Sequence, residues 1–485
     1  MSIPDDDAKY AQYADEVLGT ATAAAEAMRA LDQAAVDRIV TAVCDAAFAA
    51  RHDLAAQACE ETGIGVVAHK AIKNAWASLA VWRDIIQQPT VGVIREDIDR
   101  GLLEIAEPRG PVLAFTPMTN PTSTVIFKAL VALKTRNPLI FSPHRAARKC
   151  SKAAMELCLQ AAVEAGAPEG AMQFIAKADK RFLQAVMAHR DLALIVATGT
   201  GSVVRMAQES GKPAIGVGPG NVPAWIHRSA DVPAAVDAIM ESKTFDNGTV
   251  CASEQALVVT QDIAPEVREL LAARGAAFCP ADKLDALGAA CFDSDAMAMR
   301  AEVVGREAAA VAARIEWAVP AGTRLLVAPL ERVGADVPLC HEILGPVLAL
   351  YEVADDAAAL ATCNALLARG GVGHTASLFT GDPAMIRDVA LRMPAGRVLI
   401  NQPATQGALG AFTNALRPSL TLSAGVRAGN MFLDNITLEH FMEVRRVALP
   451  EPGNRWQAIG GDALATATGD ASISPAEARQ RIDEG

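Results

Sequence analysis

Over the first 86 positions apolar residues return every three or four places, the period of a helix with one buried face. Residues 7–30 are rich in alanine, 32–58 carry Ala35, Ile39, Val43 and Phe48 at helical spacing, and 67–86 hold Trp76 and Trp82. The run Glu60-Glu61-Thr62-Gly63-Ile64-Gly65 breaks the pattern between the last two. From Val91 two extended stretches flank Asp99-Arg100-Gly101, which predicts a hairpin, an element suited to pairing with another subunit.

After Pro111 short, uniformly apolar runs alternate with helical ones. Strands are expected at 112–115, 139–141, 172–175, 192–196 and 213–217, then at 256–259, 325–327, 347–351, 377–380 and 397–401. Such strands, separated by helices, form open and mostly parallel sheets that bind ligands beyond the carboxyl ends of the strands. At 485 residues the chain exceeds what one hydrophobic core can fill. The fold class is therefore α/β with more than one domain. Residues 402–430, rich in Gly, Pro, Thr and Ser, are too many for a plain connection and are expected to line a site. A late strand is expected within 439–449.

Composition narrows the partners. The net charge is −12 with no basic block, which argues against nucleic acid. No charge-free run of about 18 apolar residues occurs, so no membrane span is expected. The acidic start MSIPDDDAKY does not read as a secretory signal. Nine scattered cysteines form no C-x-x-C pair, so neither a metal site nor a disulfide framework is expected, and a reducing cytoplasm is the simplest location.

Cys251 stands three residues after the turn Asp246-Asn247-Gly248 and just before a buried strand, among small neighbours. It suits either a nucleophile, its thiol acidified by nearby N–H groups, or a small core residue. Thr198-Gly199-Thr200-Gly201, between a strand and a helix, can hold a phosphate or simply turn the chain. The run from Gly216 to Gly220 also follows a strand but lacks the dinucleotide fingerprint spacing. Asn120 can donate to an oxyanion or make a turn before Pro121. Glu342 can bind ribose hydroxyls or be a solvated carboxylate. His341 and His374 invite a general-base role, though a lone histidine is more often structural.

In the chain's order, TPMTNPTSTVIFKAL, SPHRAARK, ATGTGSVV, GVGPGNVPAWI, SKTFDNGTVCASEQ, HEILGPVLALY, GGVGHTASLFT and NQPATQG with RPSLTL resemble the aldehyde dehydrogenase superfamily. The closer likeness is to its coenzyme-A-acylating branch, which includes the aldehyde dehydrogenase half of bifunctional aldehyde–alcohol dehydrogenases. The resemblance implies a nucleotide-binding domain (1–98 and 112–224), a catalytic domain (225–438), an oligomerisation element (99–111 and 439–449) and a tail from 450, expected to be mobile. It makes Cys251 the nucleophile and Asn120, with the Cys251 N–H, the oxyanion site. Cofactor contacts fall at Thr116, Pro117, Ser142, His144, Thr198, Gly199, Gly201, Gly218, Gly220 and Glu342. NAD or NADP, coenzyme A and a small aldehyde are implied, with no metal, in a homodimer or homotetramer.

Departures within the resemblance refine it. Hydrolytic members carry a glutamate base where this chain has Val217, so the acyl group is expected to pass to a thiol rather than to water. Ser142 replaces their ribose lysine and leaves NAD versus NADP open. Where acylating relatives have an aromatic residue, this chain has Arg427, and Arg417 precedes Pro418. Guanidinium groups there would suit an anionic aldehyde, such as sulfoacetaldehyde or succinate semialdehyde. Two alternatives remain: a hydrolytic dehydrogenase, and an inactive homologue whose tail docks to a partner or a bacterial microcompartment shell.

Overall fold

The computed structural model describes residues 5–175, 179–199 and 201–450, with Ser474 and Ala476. The backbone divides into a larger unit, the chain up to Gln88 with Arg109–Phe441, and a smaller one, Pro89–Pro108 with the chain from Met442.

The larger unit opens with helices Asp5–Arg29, Gln33–Ala49, Arg51–Thr62 and Val67–Ala75, the last continuing through a π-turn, Trp76–Ala80, into Val81–Ile85. The single helix expected over 32–58 is thus two, broken at Ala50, whose ψ of 6° leaves the helical range. In the smaller unit β1 (Gly92–Asp97) pairs antiparallel with β2 (Leu102–Pro108), the expected hairpin, and β17 (Met442–Ala448) lies along the other side of β2. The expected boundary at 98/99 is therefore too late, because β1 belongs with its hairpin partner.

The first parallel sheet holds β3 (Val112–Thr116), β4 (Leu139–Pro143), β5 (Met172–Phe174), β6 (Leu194–Thr198) and β7 (Ala214–Val217), in the order β5-β4-β3-β6-β7. Helix Pro121–Lys134 follows β3 with every residue buried, so it needs no polar face. Its Lys128 ammonium donates to the Phe115 and Val196 carbonyls and braces β3 against β6. Strand order reverses between β3 and β6. A crevice opens at such a point beyond the carboxyl ends of the strands.

The second parallel sheet is larger, in the order β10-β13-β14-β9-β8-β15-β16. Its strands are β8 (Val222–Ile226), β9 (Glu254–Thr260), β10 (Ala276–Phe278), β13 (Leu325–Pro329), β14 (Val347–Val353), β15 (Thr375–Phe379) and β16 (Arg397–Ile400). A two-stranded ribbon, β11 (Phe292–Asp293) with β12 (Ala298–Met299), stands beside it in sequence. β8 and β9 are buried along their whole length, because helices cover both faces. The expected boundary at 224/225 cuts through β8; the chain passes between the sheets at Gly218–Asn221. The segment 402–430 contains the helix Ala404–Leu409, whose start is tied to the core by Glu254 accepting from the Ala404 N–H. Among the described residues no helix is long and apolar enough to cross a membrane. The tail lies almost entirely outside the described residues.

Candidate active site

Four singled-out residues stand just before strands of the second sheet, Gly220 before β8, Cys251 before β9, Glu342 before β14 and His374 before β15, and Arg397 opens β16. Candidate residues thus lie at the carboxyl ends of strands in the first sheet, as with Thr116 and Thr198, but at the amino ends in this one. Amino ends of the second sheet and the β3–β6 crevice of the first both contribute candidate residues.

Helix Val232–Thr244 ends at Phe245, and the chain then takes left-handed backbone at Asp246 (φ 51°, ψ 35°) and Asn247 (φ 54°, ψ 37°). Residues with short polar side chains tolerate this region, but at an energetic cost that the surroundings must offset. Asp246 supplies the offset. Its N–H donates to His69 Nδ1 (2.8 Å), Oδ1 accepts from the Val66 N–H (2.7 Å), and Oδ2 accepts from Lys70 (2.9 Å), Lys73 (2.5 Å) and Thr249 (2.7 Å). Gly65 makes this possible: a Cβ there would sit 2.1 Å from Oδ1. Burial alone would raise the Asp246 carboxyl, but Lys73 and Lys70 hold it down to about 2.

Cys251 is half-buried beyond this turn. Burial, reinforced by Glu342, pushes its thiol up to about 12, against the lowering pull of Arg397 and Lys73. The expected acidification is thus overturned for the resting site, because desolvation outweighs the nearby cations. Asn120 caps nothing on its own helix; its Nδ2 donates to the Thr249 carbonyl (3.3 Å) and Thr119 Oγ1 (3.2 Å). That contact brings Asn120 and the Cys251 loop together across a sequence gap of 129.

Gly220 packs against both the Cys251 backbone and the His374 ring. A Cβ there would meet the Cys251 carbonyl oxygen at 2.1 Å and the His374 ring at 3.2 Å. Its N–H donates to Glu342 Oε1 (2.7 Å), and burial pushes the Glu342 carboxyl up to about 8. His374 is fully buried, bonded through Nδ1 to Thr375, with no partner for Nε2; burial lowers it to about 3, so the imidazole is neutral. His341, by contrast, stacks on Phe292 at 4.6 Å and belongs to the packing there. Val217, buried at the end of β7, offers no proton acceptor.

At the crevice of the first sheet, Thr116 ends β3 and Thr198 ends β6. The Thr116 hydroxyl is buried without a partner, which fits an absent polar ligand. Gly199, Gly201 and Gly218 have nothing within reach of an added Cβ, so their backbone is open to close approach. Gly201 starts the helix Gly201–Glu209, and a helix N-terminus suits a phosphate; Thr200 lies outside the described residues. Pro117 follows Thr116, half-buried. Ser142 is buried within β4, and His144 beyond it accepts from the Ala146 N–H and has its pKa lowered by burial and by Arg145 and Arg148. Arg417 is engaged by Asp84 and Glu439 and presents no free fork to a substrate, which corrects its assignment. Arg427 is exposed on the turn Val426–Ala428. Lys70, Lys73 and Arg397 were not foreseen. Arg397, buried, donates to the carbonyls of His374, Ser423 and Leu433 and ties three loops behind Cys251.

The aldehyde dehydrogenase family model matches residues 6–413. The chain is 40% identical over 431 residues to the bifunctional aldehyde-alcohol dehydrogenase of Escherichia coli, covering 88% of this chain and 48% of that protein. To the sulfoacetaldehyde dehydrogenase (acylating) of Cupriavidus necator it is 35% identical, covering 86% and 85%. The crystal structure of an acetylating aldehyde dehydrogenase from Geobacillus thermoglucosidasius matches with a TM-score of 0.89 at 39% identity, over 92% of this chain and 98% of that one. The chain thus spans about half the length of the bifunctional relatives it matches. On this sequence match and this fold, the chain belongs to the aldehyde dehydrogenase family.

Proposed function

We propose that the chain is a coenzyme-A-acylating aldehyde dehydrogenase: aldehyde, coenzyme A and NAD(P)⁺ give acyl-CoA, NAD(P)H and a proton. The observation that carries the choice of acceptor is Val217, buried and apolar, where hydrolytic members place their base. The relatives named as acylating support it.

Cys251 sulfur adds to the aldehyde carbon, and Asn120 Nδ2 with the Cys251 N–H receives the oxygen as it gains charge. Thr116, Ser142, Thr198, Gly199, Gly201 and Gly218 would hold the dinucleotide at the crevice, with Gly220 and Glu342 on the side nearer the sulfur. When bound, the dinucleotide supplies the hydride acceptor. The chain retains the acyl group as a thioester on Cys251, and the thiol of coenzyme A displaces it. Catalysed NADH or NADPH formation should therefore need coenzyme A for turnover, with acyl-CoA as product. Sustained turnover without coenzyme A, releasing the free acid, would show the hydrolytic reading to be right.

Arg427 supports an anionic aldehyde. Arg427→Ala is expected to lower the kcat/KM preference for sulfoacetaldehyde or succinate semialdehyde over acetaldehyde by about tenfold, the worth of one charge-assisted hydrogen bond. An unchanged preference removes this substrate class. The small sheet, with β17 at its edge, supports assembly into a homodimer or homotetramer through strand pairing. All nine cysteines are unbridged, which suits a reducing compartment.

A further inference from the structure

Lys73 reaches from the helix Val67–Ala75 into the loop ahead of the nucleophile, with 3% of its surface exposed. An ammonium has three donors, and here all three are engaged: by Asp246 Oδ2 at 2.5 Å, Asn120 Oδ1 at 2.6 Å and Thr249 Oγ1 at 3.0 Å. The two ends of an asparagine amide have nearly the same shape and opposite hydrogen-bonding character. A cation at 2.6 Å can be faced only by the oxygen end. Nδ2 is thereby turned toward the Thr249 carbonyl, on the approach to Cys251. The other bonds of the amide, at 3.2 and 3.3 Å, are longer than the 2.6 Å contact with Lys73 and hold the orientation less firmly.

We propose that Lys73 is a positioning residue for the reaction: it locks the Asn120 amide with its NH₂ toward the oxyanion and strengthens that donor by drawing charge through the amide. The proposal rests on the reading of Asn120 as the oxyanion donor. Asp246 keeps the buried ammonium in place, and the shared Thr249 links it to the loop that carries the nucleophile. Burial draws the Lys73 ammonium down to about 8, partly opposed by Asp246, so it stays mostly protonated at neutral pH. Lys70 is directed elsewhere, donating to Asp246 and to the Thr119 carbonyl.

The test is a double-mutant cycle on the full chain, following NADH formation with saturating coenzyme A. Asn120→Ala is expected to lower kcat by about 10²-fold to 10³-fold. Lys73→Met is expected to lower kcat by about 10-fold to 100-fold, with the aldehyde KM changed less than about twofold, since a misaligned donor is felt mainly in the transition state. The double variant should be no slower than Asn120→Ala alone. Loss of the lysine also removes part of the pull that lowers the Cys251 thiol, so iodoacetamide labelling of Cys251 in Lys73→Met is measured beside kcat, and kcat should fall by clearly more than the labelling rate does. If Lys73→Met gives no soluble protein, Lys73→Gln carries the same cycle, as its amide reaches Asp246 without dictating which end of Asn120 faces it. Wild-type kcat in the lysine variant, or a double variant slowed by the product of both single effects, overturns the proposal. Full activity in Asn120→Ala is a separate result that overturns the oxyanion reading and the proposal with it.

Discussion

Cys251→Ser is expected to lower NADH formation by at least about 10³-fold while leaving the thermal unfolding midpoint within a degree or two. Serine occupies nearly the same volume, and the sulfur makes no hydrogen bond that packing depends on, so the loss is chemical. A hydroxyl is a far weaker nucleophile than a thiol at the same place, and Val217 offers no base to help it. Wild-type protein given aldehyde and NAD⁺ without coenzyme A should accumulate an acyl adduct on Cys251, visible by intact mass; the serine variant should show none. The raised thiol adds a pH signature. Alkylation of Cys251 by iodoacetamide should keep accelerating at pH values where an ordinary thiol, with a pKa near 8.5, has levelled off. Retention of more than about one per cent of activity by the serine variant, or a labelling profile that levels off like a free thiol's, would contradict this account.

Much of this site could be read along the chain because its parts are local. The turn Asp246-Asn247-Gly248, the strand after Cys251 and the glycines after β6 each announce themselves within a few residues. What escaped depends on contacts between distant segments. Lys73 looks like any charged residue on a helix, and its burial follows only from Asp246, 173 positions away. β8 was missed because Pro223 interrupts its apolar run, and proline normally argues against a central strand. The sheet accommodates it with a register shift between Val222 and Pro223 against β9. Arg417 fits a substrate role in sequence and is claimed by Asp84, 333 positions away. The thiol's shift is likewise a property of the folded surroundings: neighbouring N–H groups were visible in the sequence, whereas the desolvation that outweighs them was not.

Asp246→Ala is expected to destabilise the protein by about 3–5 kcal/mol, the penalty for leaving buried charges without their partner. Two ammonium groups, Lys70 and Lys73, would then share no carboxylate, and the Val66 N–H and Thr249 hydroxyl would lose their acceptor. Alanine also tolerates the left-handed backbone at this position less well than aspartate does. Asp246→Asn separates the contributions: it keeps the shape and the backbone tolerance but lacks the charge, so it should be less damaged than alanine while still well below wild type. The pH dependence has a definite sign. The folded-state carboxyl is held at about 2, below its unfolded value near 3.9, so its contribution is fully present above pH 4 and is lost as pH falls toward 2. The wild-type advantage over Asp246→Asn in urea unfolding should therefore shrink across that window. An advantage that stays constant from pH 5 to pH 2 would place the stabilisation elsewhere. Activity should fall further in these variants than stability alone explains, since Lys73 loses one of the three acceptors that fix it beneath Asn120.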